Sequence, residues 1–161
     1  MAYGLVYHYF ENKEEVLLSI FRENWQVFLK VLKQICLEGD VDFEKRLQHL
    51  IRFLIESYDN YPDLLKVIII EVTRSNRFRE EESIKLFQST FEIVAKMLRK
   101  AQRAGHARKD IDSRVASYLL LGTVEALLTG RVVGAEQFGN QNTAQIEKAI
   151  IGYALGGMLR S

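Results

Sequence analysis

The chain has 161 residues, of which 48% are apolar and 27% charged, a composition that excludes a disordered segment and fits one globular domain. Its net charge of +1 lacks the basic excess of a domain that binds nucleic acid over a broad face. Cys36 is the only cysteine, which excludes an internal disulfide and favours a small buried hydrophobe over a redox role.

Apolar residues recur at helical spacing along nearly the whole chain, which predicts an all-α fold with one short leading helix and about five long ones. Asn12 is expected to cap the first long helix and Gly39 to end it. Two apolar series, one containing Ile20 and Val27 and the other containing Trp25, predict that this helix packs on two faces.

The later helix boundaries follow from capping residues, a proline and a glycine. A short, almost wholly apolar helix is expected to start at Pro62, and a long amphipathic helix is expected to end at Gly105. Three further starts are predicted at Asp42, at Asp112 and at Asn142, which forms a capping-box pattern with Gln145. The sequence contains no repeat and no linker that would split the chain.

The front end reads YGLVYHYFENKEEVL, in which a short helix with aromatic residues precedes the Asn12 cap. Tyr7, His8 and Tyr9 do not repeat as a buried stripe should, so they suit a surface that contacts a polar partner. Taken alone, they are better explained as the capping layer of a helical bundle.

This segment closely resembles the end of the helix-turn-helix in the TetR family. The matching positions are Gly4, Leu5, Val6, Tyr7, His8, Tyr9, Phe10, Asn12, Lys13 and Glu14. The resemblance implies that Tyr7 and Tyr9 contact phosphates, that His8 touches a base edge or the backbone, and that Lys13 contacts a phosphate near a positive helix end. The DNA-contact set implied in this way is Gly4, Tyr7, His8, Tyr9 and Lys13.

The resemblance also implies how the chain is organised. Residues 1–11 would be the remnant of a recognition helix, and residues 12–161 an effector-binding and dimerisation domain. In this family two further helices precede the recognition helix, so we expect operator DNA to be a partner only of a longer chain. On this interpretation Met1 is a natural internal methionine used as a start, or a fragment boundary.

Small residues form one stripe on each of the last two predicted helices, at Gly122, Ala126 and Gly130 and at Ala149, Gly152 and Gly156. Several glycines in register indicate close helix approach, because each costs up to about 1 kcal/mol in a helix interior. That approach is either tight packing within one chain or a four-helix interface between two copies. The preceding run KAQRAGHARKDIDSRVASYLLLGTVEALL is similar to the turn before the first dimer helix of the family, which implies a homodimer.

Effectors of the family bind among the middle helices, where this chain offers aromatic and aliphatic side chains suited to a hydrophobic small molecule. Glu71 and Glu125 stand in apolar runs and would either pair within the chain, for example with Arg74, or orient a polar group of the effector. The candidate pocket residues are Trp25, Phe28, Leu32, Phe53, Tyr58, Glu71, Val72, Phe87, Phe91, Val94, Leu121 and Glu125.

Competing functional classes find little support in the sequence. His8 and Glu11 form an isolated HxxE spacing, and HExxH, CxxC, GxSxG and Walker patterns are absent, so an enzyme, a metal site and a cofactor are not expected. No apolar run reaches the roughly 20 residues of a membrane span, and a cytoplasmic protein is expected. The alternative is a helical protein–protein interaction module without a small-molecule effector.

Within the family, the layout and the segment TRSNRFREE are similar to the branch that responds to fatty acyl-CoA. Drug-sensing members share most of the same features. The overall prediction is therefore a ligand-responsive TetR-type repressor, represented by its effector-binding and dimerisation portion.

Overall fold

A computed structural model of the chain describes residues 12–67, 81–132 and 142–158. Within these ranges the backbone forms six α-helices and no strand, which confirms the all-α fold class. In chain order they are α1 (Lys13–Leu37), α2 (Phe43–Asn60), α3 (Pro62–Val67), α4 (Glu81–Ala104), α5 (Ser113–Val132) and α6 (Thr143–Met158).

Four of these helices start at a short polar side chain that accepts hydrogen bonds from amides of the first turn. Asn12 accepts at 3.0 Å from the amide three residues on, and Asp42 accepts at 3.2 Å from the amide two residues on. Asp112 accepts from two amides, at 2.9 and 3.2 Å. Asn142 and Gln145 form both halves of a capping box, with bonds of 2.9 and 3.0 Å. The four predicted caps are confirmed.

The predicted helix ends at glycine are confirmed as well. Gly39 follows the end of α1 with a φ of +72°, and Gly105 follows the end of α4 with a φ of +82°. Both values lie in the left-handed region, where a side chain would clash with the backbone. Pro62 is the first residue of α3, where its missing amide costs nothing.

The long helices pack around one main hydrophobic core. α1 packs against α2 and α4, α4 also packs against α5, and α2 contacts α5 and α6. Buried side chains come from all five long helices, among them Leu32, Cys36, Leu47, Ile51, Val94, Leu98, Leu120, Val124 and Ile150. One expectation for α1 is wrong, because Ile20 and Val27 are 40% and 66% exposed and that part of its second face is not covered.

Arg46 joins α2 to the end of α1. Its side chain is buried, and its two terminal nitrogens donate to the carbonyl oxygens of Ile35, Glu38 and Gly39 at 2.7–2.8 Å and of Val41 at 3.4 Å. The last turn of α1 carries no basic residue of its own. Arg46 therefore supplies the positive charge that the carbonyl end of a helix favours.

Cys36 lies in the same region and is 1% exposed. Burial raises the pKa of its thiol from 9.0 to about 12, an effect that the nearby Arg46 guanidinium partly opposes. The thiol is therefore protonated at neutral pH and is shielded from solvent. This confirms the interpretation of Cys36 as a small buried hydrophobe.

None of the helices in the described part of the chain combines the length and apolar content needed to cross a bilayer.

Candidate functional site

The proposed DNA-contact residues lie mostly outside the described residues. This holds for Gly4, Tyr7, His8 and Tyr9. Lys13 is the first residue of α1 and is exposed, one position after the Asn12 cap. Lys13 therefore lies at the amino-terminal end of a helix, where the free amides and the helix dipole also favour anions.

Aromatic side chains from four helices form a continuous series of contacting rings, which we call the ring cluster: Phe21, Trp25, Phe28, Phe53, Phe87, Phe91 and Tyr118. Trp25 is central, with ring centroids 5.0 Å from Phe28 and 5.9 Å from Phe87. Phe28 continues to Phe53 of α2 at 5.3 Å, and Phe87 continues to Phe91 at 5.3 Å. The structure thus brings five of the predicted pocket residues together.

The cluster ends on α5, where Tyr118 stacks on Phe91 with centroids 4.1 Å apart and planes at 18°. Its centre is fixed by a polar contact, since Trp25 Nε1 donates to the carbonyl oxygen of Leu86 in α4 at 3.2 Å. The ring cluster therefore links α1, α2, α4 and α5 through contacting side chains.

The aliphatic members of the predicted pocket lie deeper. Leu32 and Val94 are completely buried, and Leu121 is 8% exposed. All three belong to the main hydrophobic core, and the half-buried Tyr58 packs against it. Phe28, Phe53 and Phe91 of the ring cluster pack against the same core.

Two hydroxyl groups of α4 are buried on the helical face that carries Phe87 and Val94, and neither belongs to a residue predicted from the sequence. Ser83 is 0% and Thr90 is 6% exposed. Among the described residues, neither hydroxyl oxygen has a hydrogen-bond partner. Phe87 lies four residues after Ser83, Thr90 lies three residues after Phe87, and Val94 lies four residues after Thr90. This spacing puts all four residues on one helical face, and it is the sequence signal that would have found the two hydroxyls.

The last two helices expose a large apolar surface, which we call the α5–α6 face. Val115, Tyr118 and Leu119 of α5 are 52–57% exposed, and Tyr153 of α6 is 72% exposed. The predicted small residues lie along these helices. Ala126, Ala149, Gly152 and Gly156 are exposed, and Gly122 and Gly130 are half-buried.

Three glycines of this face lie in open surroundings. A Cβ atom added at Gly122, Gly152 or Gly156 would meet no atom of the described residues within 4 Å. At these three positions the described part of the chain therefore shows no close approach by another helix of the same chain. An open apolar cleft of about 240 Å³ crosses the face between Leu119 and Tyr153.

The turn between α4 and α5 is tied to the end of this face. Gln102 donates to the carbonyl oxygens of Arg108 and Ile111 at 2.9 and 2.8 Å. Arg108 forms a two-bond ion pair with Asp110, and this guanidinium lowers the pKa of the Asp110 carboxyl group. Arg108 also donates to the carbonyl oxygen of Gly157 in α6 at 3.4 Å.

Comparison with known proteins identifies the family of this chain. Residues 21–152 match a TetR C-terminal family model, described as "YsiA-like protein, C-terminal region". The chain belongs to the TetR family of transcriptional regulators. The fatty acid metabolism regulator protein of Bacillus subtilis (strain 168) is 24% identical over 139 residues, which cover 86% of this chain and 71% of that protein.

Solved TetR-type structures share the fold. The transcriptional regulator FadR from Bacillus subtilis in complex with stearoyl-CoA has a TM-score of 0.79 at 20% identity, with 98% of this chain and 82% of that one covered. The fatty acid degradation regulator FadR from Bacillus halodurans has a TM-score of 0.79 at 24% identity, with 99% and 83% covered. The TetR-family regulator PfmR from Thermus thermophilus has a TM-score of 0.78 at 15% identity, with 99% and 84% covered.

The TetR-family relatives are transcriptional regulators and not enzymes. Within the described ranges, no three His, Cys, Asp or Glu side chains come close enough to hold a metal ion.

One of the two acidic residues predicted for the effector pocket of this TetR-type chain is described by the structure, and it does not join the ring cluster. Glu125 is exposed on α5, beside Ala126. Glu71 lies outside the described residues, as do Val72 and the Arg74 suggested as its partner.

Proposed function

We propose that this chain is the effector-binding and dimerisation portion of a ligand-responsive TetR-type repressor that acts in the cytoplasm. The observation that carries the proposal is the ring cluster, because it joins α1, α2, α4 and α5 through contacting side chains. An apolar, largely aromatic environment between helices is the usual composition of a site for a hydrophobic ligand.

We propose a long-chain fatty acyl-CoA as the effector. The first support is chemical, since the ring cluster offers a long apolar surface that runs from Phe53 to Tyr118. The second support is the relatedness of the chain to a fatty acid metabolism regulator and the presence of stearoyl-CoA in a solved structure of the same fold.

The active form is proposed to be a homodimer joined through the α5–α6 face. A twofold interface brings the same surface of each copy together, so that two copies of the pair would form four helices. The exposed Val115, Leu119 and Tyr153 would then be covered. The empty space around Gly122 and Gly152 would admit the partner helices closely.

The mechanism we propose is a population shift. Trp25 and Phe28 lie on α1, whose start at Lys13 directly follows the segment that resembles a recognition helix, whereas Tyr118 lies on α5. An effector that binds one arrangement of these helices more tightly would turn α1 relative to the dimer. Two DNA-binding heads must match half-sites about 34 Å apart, so a small rotation would release the operator.

We also propose that operator DNA is bound only by a longer chain with two helices ahead of the recognition helix. A gel-shift assay with this 161-residue chain checks the point. No sequence-selective shift is expected, and a tight, selective shift would contradict the proposal.

The effector is tested through the single tryptophan of the chain, which lies at the centre of the ring cluster. Titration with palmitoyl-CoA is expected to change Trp25 emission saturably, whereas free CoA is expected to leave it unchanged. The Trp25→Phe variant is the control, because it should lose the optical signal but still bind in calorimetry. No heat and no emission change with the wild-type chain would favour a protein–protein interaction module instead.

The interface is tested with Gly122→Leu and Gly152→Leu. Because a Cβ atom at either position would meet no atom of the described residues within 4 Å, the protomer should stay folded while the dimer contact is blocked. Native mass spectrometry at micromolar concentration should then change from dimer to monomer. Gln26→Leu, at an exposed position of α1, is the matched control and should remain dimeric. Dimers of both glycine variants would show that the copies meet elsewhere.

A further inference from the structure

The buried face of α4 carries hydroxyl groups in its first half and only apolar side chains in its second half. Its second half carries Val94, Leu98 and Ala101, which are all buried and apolar. Its first half carries hydroxyl groups at equivalent positions, Ser83 and Thr90, which are just as buried. Buried polar atoms in native proteins nearly always have a hydrogen-bond partner, so two unpartnered hydroxyls on one face require an explanation.

Three other helical hydroxyls among the described residues find a partner within their own helix. Ser57, Ser89 and Thr123 each donate at 2.7 Å to the carbonyl oxygen four residues earlier. The corresponding carbonyl for Thr90 is that of Leu86, and this oxygen accepts from the indole nitrogen of Trp25 instead. The hydroxyl of Thr90 is thus left without the usual local acceptor.

Ser83 and Thr90 also flank the ring cluster. Phe87 lies between them on the same helical face, four residues after Ser83 and three before Thr90, and its ring contacts Trp25 and Phe91. Seven residues of α-helix separate the two hydroxyls by about 10 Å along the axis. A ligand lying along α4 against Phe87 would therefore pass both of them.

We propose that Ser83 and Thr90 are the polar contacts of the effector site and that their hydroxyls donate to carbonyl oxygens of the bound molecule. This inference rests on the proposed effector function and adds its chemical selectivity. An acyl thioester with an amide-containing arm has a long apolar chain for the rings and carbonyl oxygens for the hydroxyls. A hydrocarbon of the same length leaves both hydroxyls unpaired, so the site discriminates against it.

The test combines ligand affinity with the stability of the ligand-free chain, measured for Ser83→Ala, Thr90→Val and the double variant. Calorimetry with palmitoyl-CoA should show about tenfold weaker binding for each lost hydroxyl. Thermal unfolding without ligand should show an unchanged or higher Tm, because each substitution removes a buried polar group that has no partner. Ser89→Ala, at a hydroxyl that bonds within its own helix, should bind palmitoyl-CoA as the wild type does.

Thr90→Ser keeps the hydroxyl and should retain most of the affinity. Wild-type binding of palmitoyl-CoA with unchanged affinity in the double variant would overturn this inference and leave the proposed effector intact. A Tm lowered by several degrees in ligand-free Thr90→Val would also overturn it, because the hydroxyl would then be satisfied within the protein. Failure of the wild-type chain to bind palmitoyl-CoA would overturn both proposals together.

Discussion

Replacing Arg46 of α2 with methionine removes a guanidinium that donates hydrogen bonds to backbone carbonyl oxygens at the end of α1. The side chain is 7% exposed, and three of its hydrogen bonds are 2.7–2.8 Å long. A hydrogen bond to a charged group contributes about 1.5–3 kcal/mol, so these three would contribute about 5–9 kcal/mol if they were independent.

Two effects reduce that sum. Glu38 and Gly39 belong to an exposed segment, so their carbonyl oxygens can turn to water once Arg46 is gone. Removing a buried charge also recovers part of its desolvation cost. We therefore expect Arg46→Met to lower the free energy of unfolding by about 3 kcal/mol, or the Tm by about 6–12 °C for a chain of this size.

The assay is urea unfolding followed by circular dichroism, at one fixed protomer concentration because a dimer couples stability to concentration. Arg52→Met is the matched control on the same helix. Its ion pair with Glu147 is 2.9 Å long but the Arg52 side chain is 52% exposed, so a loss of at most about 1 kcal/mol is expected. The loss for Arg46→Lys should fall between the losses for Arg46→Met and Arg52→Met, because one ammonium group cannot donate to all the carbonyl oxygens that the two terminal nitrogens of the guanidinium reach. A loss below about 1 kcal/mol for Arg46→Met would refute the reasoning.

Two further predictions concern the thiol and a helix cap. The pKa of the Cys36 thiol is 9.0 in the unfolded chain and about 12 in the folded chain. The contribution of the protonated thiol to the free energy of unfolding is therefore complete below pH 9 and is lost as the pH rises towards 12. In urea unfolding between pH 8 and 11, the free energy of unfolding of the wild type should fall above pH 9 by about 1.4 kcal/mol per pH unit more than that of Cys36→Ala. Parallel pH profiles of the two proteins would contradict this. Asp112→Ala removes two amide hydrogen bonds at the start of α5 and should cost about 1 kcal/mol in thermal unfolding, with Asp112→Asn nearly unchanged. An equal loss in both variants would mean that the carboxylate charge, and not the cap, is what matters.

The helix boundaries were predictable from the sequence because their causes are local. Asn12, Asp112 and the Asn142–Gln145 pair each bond to atoms within three residues, and Gly39 and Gly105 adopt a backbone conformation that glycine favours. Family membership was readable for a related reason, since the motif before α1 has fixed spacing. Periodicity also selected aromatic residues that meet in space, such as Trp25 and Phe87.

Tertiary structure alone decided which side of each helix is covered. Leu119 and Leu120 are adjacent apolar residues of α5, yet one is 57% exposed and the other 3%, because α2, α4 and α6 cover only part of that helix. Glu125 falls on the uncovered side. The same holds for polar contacts over longer separations. Arg46 reaches carbonyls 5–11 residues earlier, and Trp25 takes a carbonyl of α4 that Thr90 would otherwise use. Such contacts depend on how two helices are placed against each other, and neither composition nor periodicity contains that information.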